Sequence, residues 1–160
     1  MNYHQYYPVD VVNGPGTRCT LFVAGCVHEC VGCYNKSTWR LNSGQPFTQE
    51  QENRIIANLQ DTVIPRQGIS LSGGDPLHPQ NVPDILRLVE RIRAECPGKD
   101  IWVWTGYVLT ELTPAQQRVV ESHQRLSRWK ICARSERSAL IWRGSSNQVC
   151  PPPAVIESGY

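Results

Sequence analysis

Apolar residues fall along this chain in short blocks whose spacing alternates between that of a strand and that of a helix. After a tyrosine-rich opening, Val9-Asp10-Val11-Val12 alternates and predicts an edge strand within residues 1–12. Asn13-Gly14-Pro15-Gly16 reads as a turn, its glycines permitting backbone conformations closed to other residues. Arg18 to Ala24 is nearly continuous in apolar residues and predicts a buried strand, with Cys19 as a small core residue. Residues 35–43 are polar, with Trp39 their one large apolar anchor. A helix is predicted after Thr48, capped by its hydroxyl with Gln51 completing a capping box; Ile55, Ile56 and Leu59 form its inward stripe.

Gly68-Ile69-Ser70-Leu71-Ser72 predicts a second buried strand, ending directly in Gly73-Gly74-Asp75-Pro76. Val82 to Glu95 is the clearest helix, since Ile85, Leu88, Val89 and Ile92 share a face while Arg87, Glu90, Arg91 and Arg93 point outward. Pro83 suits its first turn and Cys96-Pro97-Gly98 stops it. Asp100 to Trp104 predicts a third strand, with its two tryptophans as packing residues, and Thr113-Pro114-Ala115-Gln116 opens another helix. Strand and helix alternating at short intervals imply consecutive right-handed βαβ units and a parallel sheet. With 160 residues, about half the length of a closed eight-stranded barrel, the expected fold is α/β: an open, partial (β/α) barrel with a mainly parallel sheet.

Sixteen basic against fourteen acidic residues give a net charge of +2, too weak a field to argue for nucleic acid or a membrane surface. No apolar run approaches a membrane span, and the first residues lack the segments of a secretion signal, so the chain is expected to be cytoplasmic. Seven cysteines without an export signal fit metal ligation better than a disulfide framework.

Three of them, Cys26, Cys30 and Cys33, stand at spacings of four and three residues. Closed structural zinc and iron–sulfur sites take four protein ligands, so a trio leaves one coordination position for something that is not protein. At one corner of a cubane, that position suits a small molecule bearing amine and carboxylate groups. The alternative is a zinc knuckle completed by His28 or a distant cysteine. Otherwise His28 reads as a solvated loop residue without a role.

The C-x3-C-x2-C spacing resembles the signature of the radical S-adenosylmethionine (SAM) enzymes. With Asn13 to Arg18, Cys33-Tyr34-Asn35, Ser72 to Pro76 and Trp104-Thr105-Gly106-Tyr107, the chain is similar, within that family, to the glycyl-radical activases that serve anaerobic ribonucleoside-triphosphate reductase. The likeness runs from Met1 to about Val120 and resumes over Leu140 to Val149. Gly32, before the last cysteine, stands where the wider superfamily often has an aromatic residue.

The resemblance implies a single radical SAM domain over residues 1–160, with a [4Fe-4S] cluster held by Cys26, Cys30 and Cys33 and SAM as cofactor. It places Gly32, Cys33, Tyr34, Ser72, Gly73, Gly74 and Asp75 at SAM, and Gly14, Pro15, Gly16 and Arg18 near the docking protein substrate, Arg18 at the rim. No catalytic side chain is implied beyond cluster and cofactor. The implied partners are the glycine-bearing segment of the reductase large subunit and reduced flavodoxin or a similar electron donor. An activase of another glycyl-radical enzyme, such as pyruvate formate-lyase, shares the cysteine spacing and the early glycine-proline turn and is the nearest alternative.

Residues 121–139 and 150–160 depart from the family pattern. Within 121–139, Arg125, Arg128, Arg134, Arg137 and four serines appear without apolar periodicity. A family-like message read one nucleotide early gives Arg128 to Arg137, so compensating frameshifts account for the stretch. On that reading a core strand is lost, the basic run is no nucleic-acid patch, and Cys132 and Cys150 are not ligands.

Overall fold

The computed structural model describes residues 1–121, with 129–133 and 141–142 as strand backbone. Seven strands form one sheet: β1 (Asn2–Asp10), β2 (Arg18–Val23), β3 (Gln45–Pro46), β4 (Gly68–Gly73), β5 (Asp100–Thr105), β6 (Trp129–Ala133) and β7 (Ile141–Trp142). Their order across the sheet is β3-β1-β2-β4-β5-β6-β7. Among the described residues, three α-helices, α1 (Gln49–Gln60), α2 (Val82–Glu95) and α3 (Pro114–Glu121), occupy the connections between β2 and β4, β4 and β5, and β5 and β6.

The pairings β2–β4, β4–β5 and β5–β6 are parallel, as the βαβ pattern predicts. The sheet as a whole is mixed, because β1–β2, β1–β3 and β6–β7 are antiparallel. This corrects the mainly parallel sheet expected from sequence. The short turn from β1 to β2 cannot carry the crossover that a parallel neighbour requires, so β1 folds back against β2. A second correction concerns residues 121–139, from which a core strand was expected to be missing. β6 runs there beside β5 in the register Ile101↔Trp129 to Thr105↔Ala133, pairing backbone groups that β5 would otherwise leave unbonded. Residues 150–160, Leu140 and the stretch 143–149 lie outside the described residues.

Alternation along the parallel strands sends Cys19, Leu21, Val23, Ile69, Leu71, Ile101 and Val103 into one core with Ile55, Ile56 and Leu59 of α1 and Ile85, Leu88, Val89 and Ile92 of α2. Cys19 is buried there as expected, its thiol accepting from Tyr6 Oη at 3.2 Å. Only α3 closes its capping box, with Thr113 N on Gln116 Oε1 at 2.8 Å. At α1, Thr48 accepts from Gln51 N, but the Gln51 carbonyl is taken by Tyr3 Oη at 3.1 Å. Tertiary contact outcompetes the local cap. Among the described residues no helix is long and apolar enough to cross a membrane.

The starts of the parallel strands are pinned by a buried ion pair. Arg18 has no exposed surface; its guanidinium meets Asp100 Oδ1 at 2.5 Å and lies over the Trp102 ring at 5.4 Å. Burial pulls the Arg18 pKa down and Asp100 opposes that pull, so the partner offsets the cost of burying the cation. Asp100→Ala would leave a buried cation unpaired, and is expected to cost about 3 kcal/mol, roughly 10 °C in Tm by calorimetry.

Asp10, at the end of β1, accepts from Val12 N at 2.8 Å, Asn13 Nδ2 at 2.6 Å and Thr20 Oγ1. Burial disfavours its charge, but the donors outweigh burial and hold the carboxyl below its ordinary value. A carboxylate depressed by folding contributes stability that is complete above its unfolded pKa, about 3.9, and is lost as pH falls through the lower folded value. Urea midpoints should therefore drop on acidification below about pH 4, and Asp10→Asn should flatten that drop while lowering stability near neutrality.

Candidate functional site

The parallel strands deliver three loops to one end of the sheet. β2 ends at Val23, and the chain beyond it is fixed by backbone bonds: Ala24 N to Asn2 O at 2.9 Å, Gly25 N to Thr38 O at 2.7 Å and Cys26 N to Trp39 O at 3.0 Å. From Cys26 the loop turns outward, closing on itself where Cys33 N donates to Cys30 O at 3.1 Å. Glu29 takes the left-handed backbone, φ 44°, which non-glycine residues enter at some cost. Cys26, Cys30 and Cys33 are all free thiols, partly buried, while Val27, Val31 and Tyr34 between and beyond them are exposed.

β4 ends at Gly73, paired with Val23 of β2, and the glycine pair lies against the start of the cysteine loop. Gly74 N donates to Val23 O at 2.8 Å and Asp75 N to Gly25 O at 2.7 Å. A Cβ at Gly73 would stand 2.7 Å from Val23 N, and one at Gly74 2.4 Å from Gly25 O, so no larger residue fits without moving the loop. The glycines thus serve the protein's own backbone contact. Ser72 is half-buried at the same strand end.

Asp75 is buried and its carboxylate is saturated. Oδ1 accepts from Leu77 N at 2.8 Å and Thr105 Oγ1 at 2.8 Å; Oδ2 accepts from Gly106 N at 2.8 Å and meets His28 Nε2 at 2.9 Å. The His28 ring packs edge-on against Tyr107 at 4.6 Å between centroids. Asn81, at the cap position of α2, spends its amide on Ala24 O at 2.8 Å and Asp75 O at 3.0 Å instead of on the helix. One carboxylate and one amide therefore join the ends of β2, β4 and β5.

Of the residues predicted from sequence, Cys26, Cys30, Gly32, Cys33 and Tyr34 share the first loop, and Ser72, Gly73, Gly74 and Asp75 form the second beside it. Gly14, Pro15, Gly16 and Arg18 lie elsewhere. Arg18 begins β2, level with Gly68 and Asp100, so the length of a six-residue strand, roughly 20 Å, separates it from the cysteine loop. Its guanidinium is enclosed and not at a rim. His28, Asn81, Thr105, Gly106 and Tyr107 were missed as site residues. Thr105 to Tyr107 belonged to a motif already in view, but nothing local marks His28, whose partner is 47 positions away.

The donor set fits an iron–sulfur cluster. Burial pushes the Cys26 thiol up despite the His28 amide, and Asp75, Cys30 and Cys33 add to the rise, so the three sulfurs share one electrostatic field. Cation binding would release protons from them. Among the described residues, no three cysteine, histidine or acidic side chains are gathered closely enough to hold a single metal ion. A cubane places each thiolate on a separate iron and does not ask for such convergence.

The family described as "4Fe-4S single cluster domain" matches residues 12–151. The chain is 75% identical over 149 residues to an anaerobic ribonucleoside-triphosphate reductase-activating protein of Salmonella typhimurium, covering 93% of this chain and 97% of that protein. It is 74% identical to the protein of the same name from Escherichia coli K12, with the same coverage. The similarity extends to that of Enterobacteria phage T4, 43% identical over 92% of both chains. The chain belongs to the family of anaerobic ribonucleoside-triphosphate reductase-activating proteins and carries their 4Fe-4S single cluster domain.

Proposed function

We propose that this protein is a cytoplasmic radical SAM enzyme that activates anaerobic ribonucleoside-triphosphate reductase by generating its glycyl radical. The observation that carries the reading is the junction of the cysteine loop with the glycine pair: Asp75 N on Gly25 O puts the thiols and a side-chain-free strand end side by side. Cys26, Cys30 and Cys33 would hold a [4Fe-4S] cluster with one position left for SAM. When bound, cluster and SAM supply reductive cleavage to methionine and a 5′-deoxyadenosyl radical, which takes hydrogen from a glycine Cα of the reductase, the electron coming from reduced flavodoxin or a similar donor.

What the chain contributes is orientation and access. Ser72, Gly73 and Gly74 present backbone groups beside the thiols, where the amino group of SAM would lie, and Gly32 and Tyr34 border the same loop. Asp75 has no acceptor position left and acts by fixing the loops around it. An open, partial barrel would leave the loop side accessible, as radical transfer to another protein requires. Exposed Val27, Val31 and Tyr34 give that side an apolar surface for the reductase. The turn Gly14-Pro15-Gly16 is proposed as a second docking element for the same partner, shaped from beneath by Arg18, whose side chain a Cβ at Gly14 would touch at 2.9 Å. Frameshifting remains our account of residues 121–139 and 150–160, and resequencing the gene tests it.

Two measurements test the reading. Cys30→Ala, reconstituted anaerobically with iron and sulfide, is expected to lose SAM cleavage, read as no 5′-deoxyadenosine above background; a colourless, zinc-loaded wild-type protein, or cleavage retained in the variant, would defeat the assignment. Gly74→Ala is expected to drive the second loop away from Gly25, lowering stability by about 2 kcal/mol and raising the SAM concentration needed for cleavage, read by thermal melts and product assays.

A further inference from the structure

The cysteine loop has few holds on the rest of the protein. Among the described residues, one hydrogen bond leaves residues 27–32 for another part of the chain, that between His28 Nε2 and Asp75 Oδ2 at 2.9 Å. The ring is also packed by Tyr107 and Gly106. Tyr107 packs against it at 77°, and Gly106 lies so close that a Cβ there would stand 2.4 Å from His28 Cδ2. Only glycine at 106 leaves the ring this seat. The His28 side chain retains 21% of its exposure, between the exposed Val27 and Glu29, so the ring is turned inward while its neighbours face solvent.

The acceptor is not an ordinary surface carboxylate. Asp75 is held by Leu77 N, by Thr105 Oγ1 and by Gly106 N, which belong to the β4 loop and to the end of β5. A carboxylate fixed by three donors is a rigid anchor, and a fourth donor attached to it inherits that rigidity. We propose that His28 is a positioning residue: it latches the loop bearing Cys26, Cys30 and Cys33 to the β4 and β5 ends, setting where the thiols stand relative to the glycine pair before any cluster or SAM binds. The latch stands on the geometry alone; that it tunes a cluster rests on the proposed function.

The experiment uses the full chain and separates the ring's hydrogen bond from its packing. His28→Phe keeps a ring against Tyr107 and loses the donor, whereas His28→Gln loses the ring and keeps an amide donor near the same place. Gly106→Ala leaves both latch partners in place and displaces the ring. In metal-free protein, hydrogen–deuterium exchange of peptides spanning 25–34 should be about tenfold faster in His28→Phe and Gly106→Ala, and within about twofold of wild type in His28→Gln. After anaerobic reconstitution, the first two should show an altered electron paramagnetic resonance signal of the reduced cluster and a KM for SAM raised more than kcat is lowered. His28→Phe matching wild type in exchange and in the resonance signal would overturn the latch, as would Gln failing where Phe succeeds, which assigns the ring to packing alone. If wild-type protein assembles no cluster, the proposed function fails, while the exchange comparison still decides the latch.

Discussion

A buried carboxylate that accepts from four donors is the constraint on which this site rests. Asp75 lies at the point where the ends of β2, β4 and β5 come within reach of one another, and its four contacts come from three stretches of chain: His28, Leu77, and the neighbours Thr105 and Gly106. Desolvating a carboxylate is expensive, and the cost is offset only when its acceptor positions are filled with good geometry. Removing any one donor therefore disturbs the others. The arrangement converts three separate loops, mobile by default, into one surface. At the opposite end of the same strands Arg18 and Asp100 play a comparable part, so the parallel core is keyed by charge at both ends and held between them by aliphatic packing.

This division explains which features were legible in the sequence. The helices and the three parallel strands announce themselves because their apolar residues must repeat at 3.6 or 2 to reach one core, and Ile85, Leu88, Val89 and Ile92 could hardly be read otherwise. The thiol trio and the glycine pair were visible because their residue types are chemically narrow. Long-range pairing was not visible. His28 and Asp75 are polar residues of ordinary appearance, and only the fold brings them together. The family resemblance puts Arg18 at a docking rim, yet it is enclosed because Asp100 and Trp102 stand beside it on a strand that begins 82 positions later. Similarly, Gln51 and Asn81 occupy positions where local rules assign a helix cap, and tertiary partners claim their side chains instead.

The sheet edges carry the same lesson. Periodicity reports that a strand exists but not which neighbour it will take. β1 returns antiparallel because its connection is short, while β6 takes a parallel place because β5 presents a row of unpaired backbone groups.

Loop rigidity and thiol chemistry are linked at this site. Burial pushes the Cys26 thiol up, and the charge of Asp75 adds to the rise, so ligation at Cys26 must remove a proton that its surroundings favour keeping. A loop that also had to be ordered during assembly would add conformational entropy to that cost, on the order of 1 kcal/mol for each residue fixed. Ordering it beforehand separates the two. The backbone bonds from Gly25 and Cys26 hold its start, the Cys30 to Cys33 turn shapes its end, and the His28 side chain is what ties its middle to the sheet. The exposed Val27 and Val31 lie between these ties and face solvent.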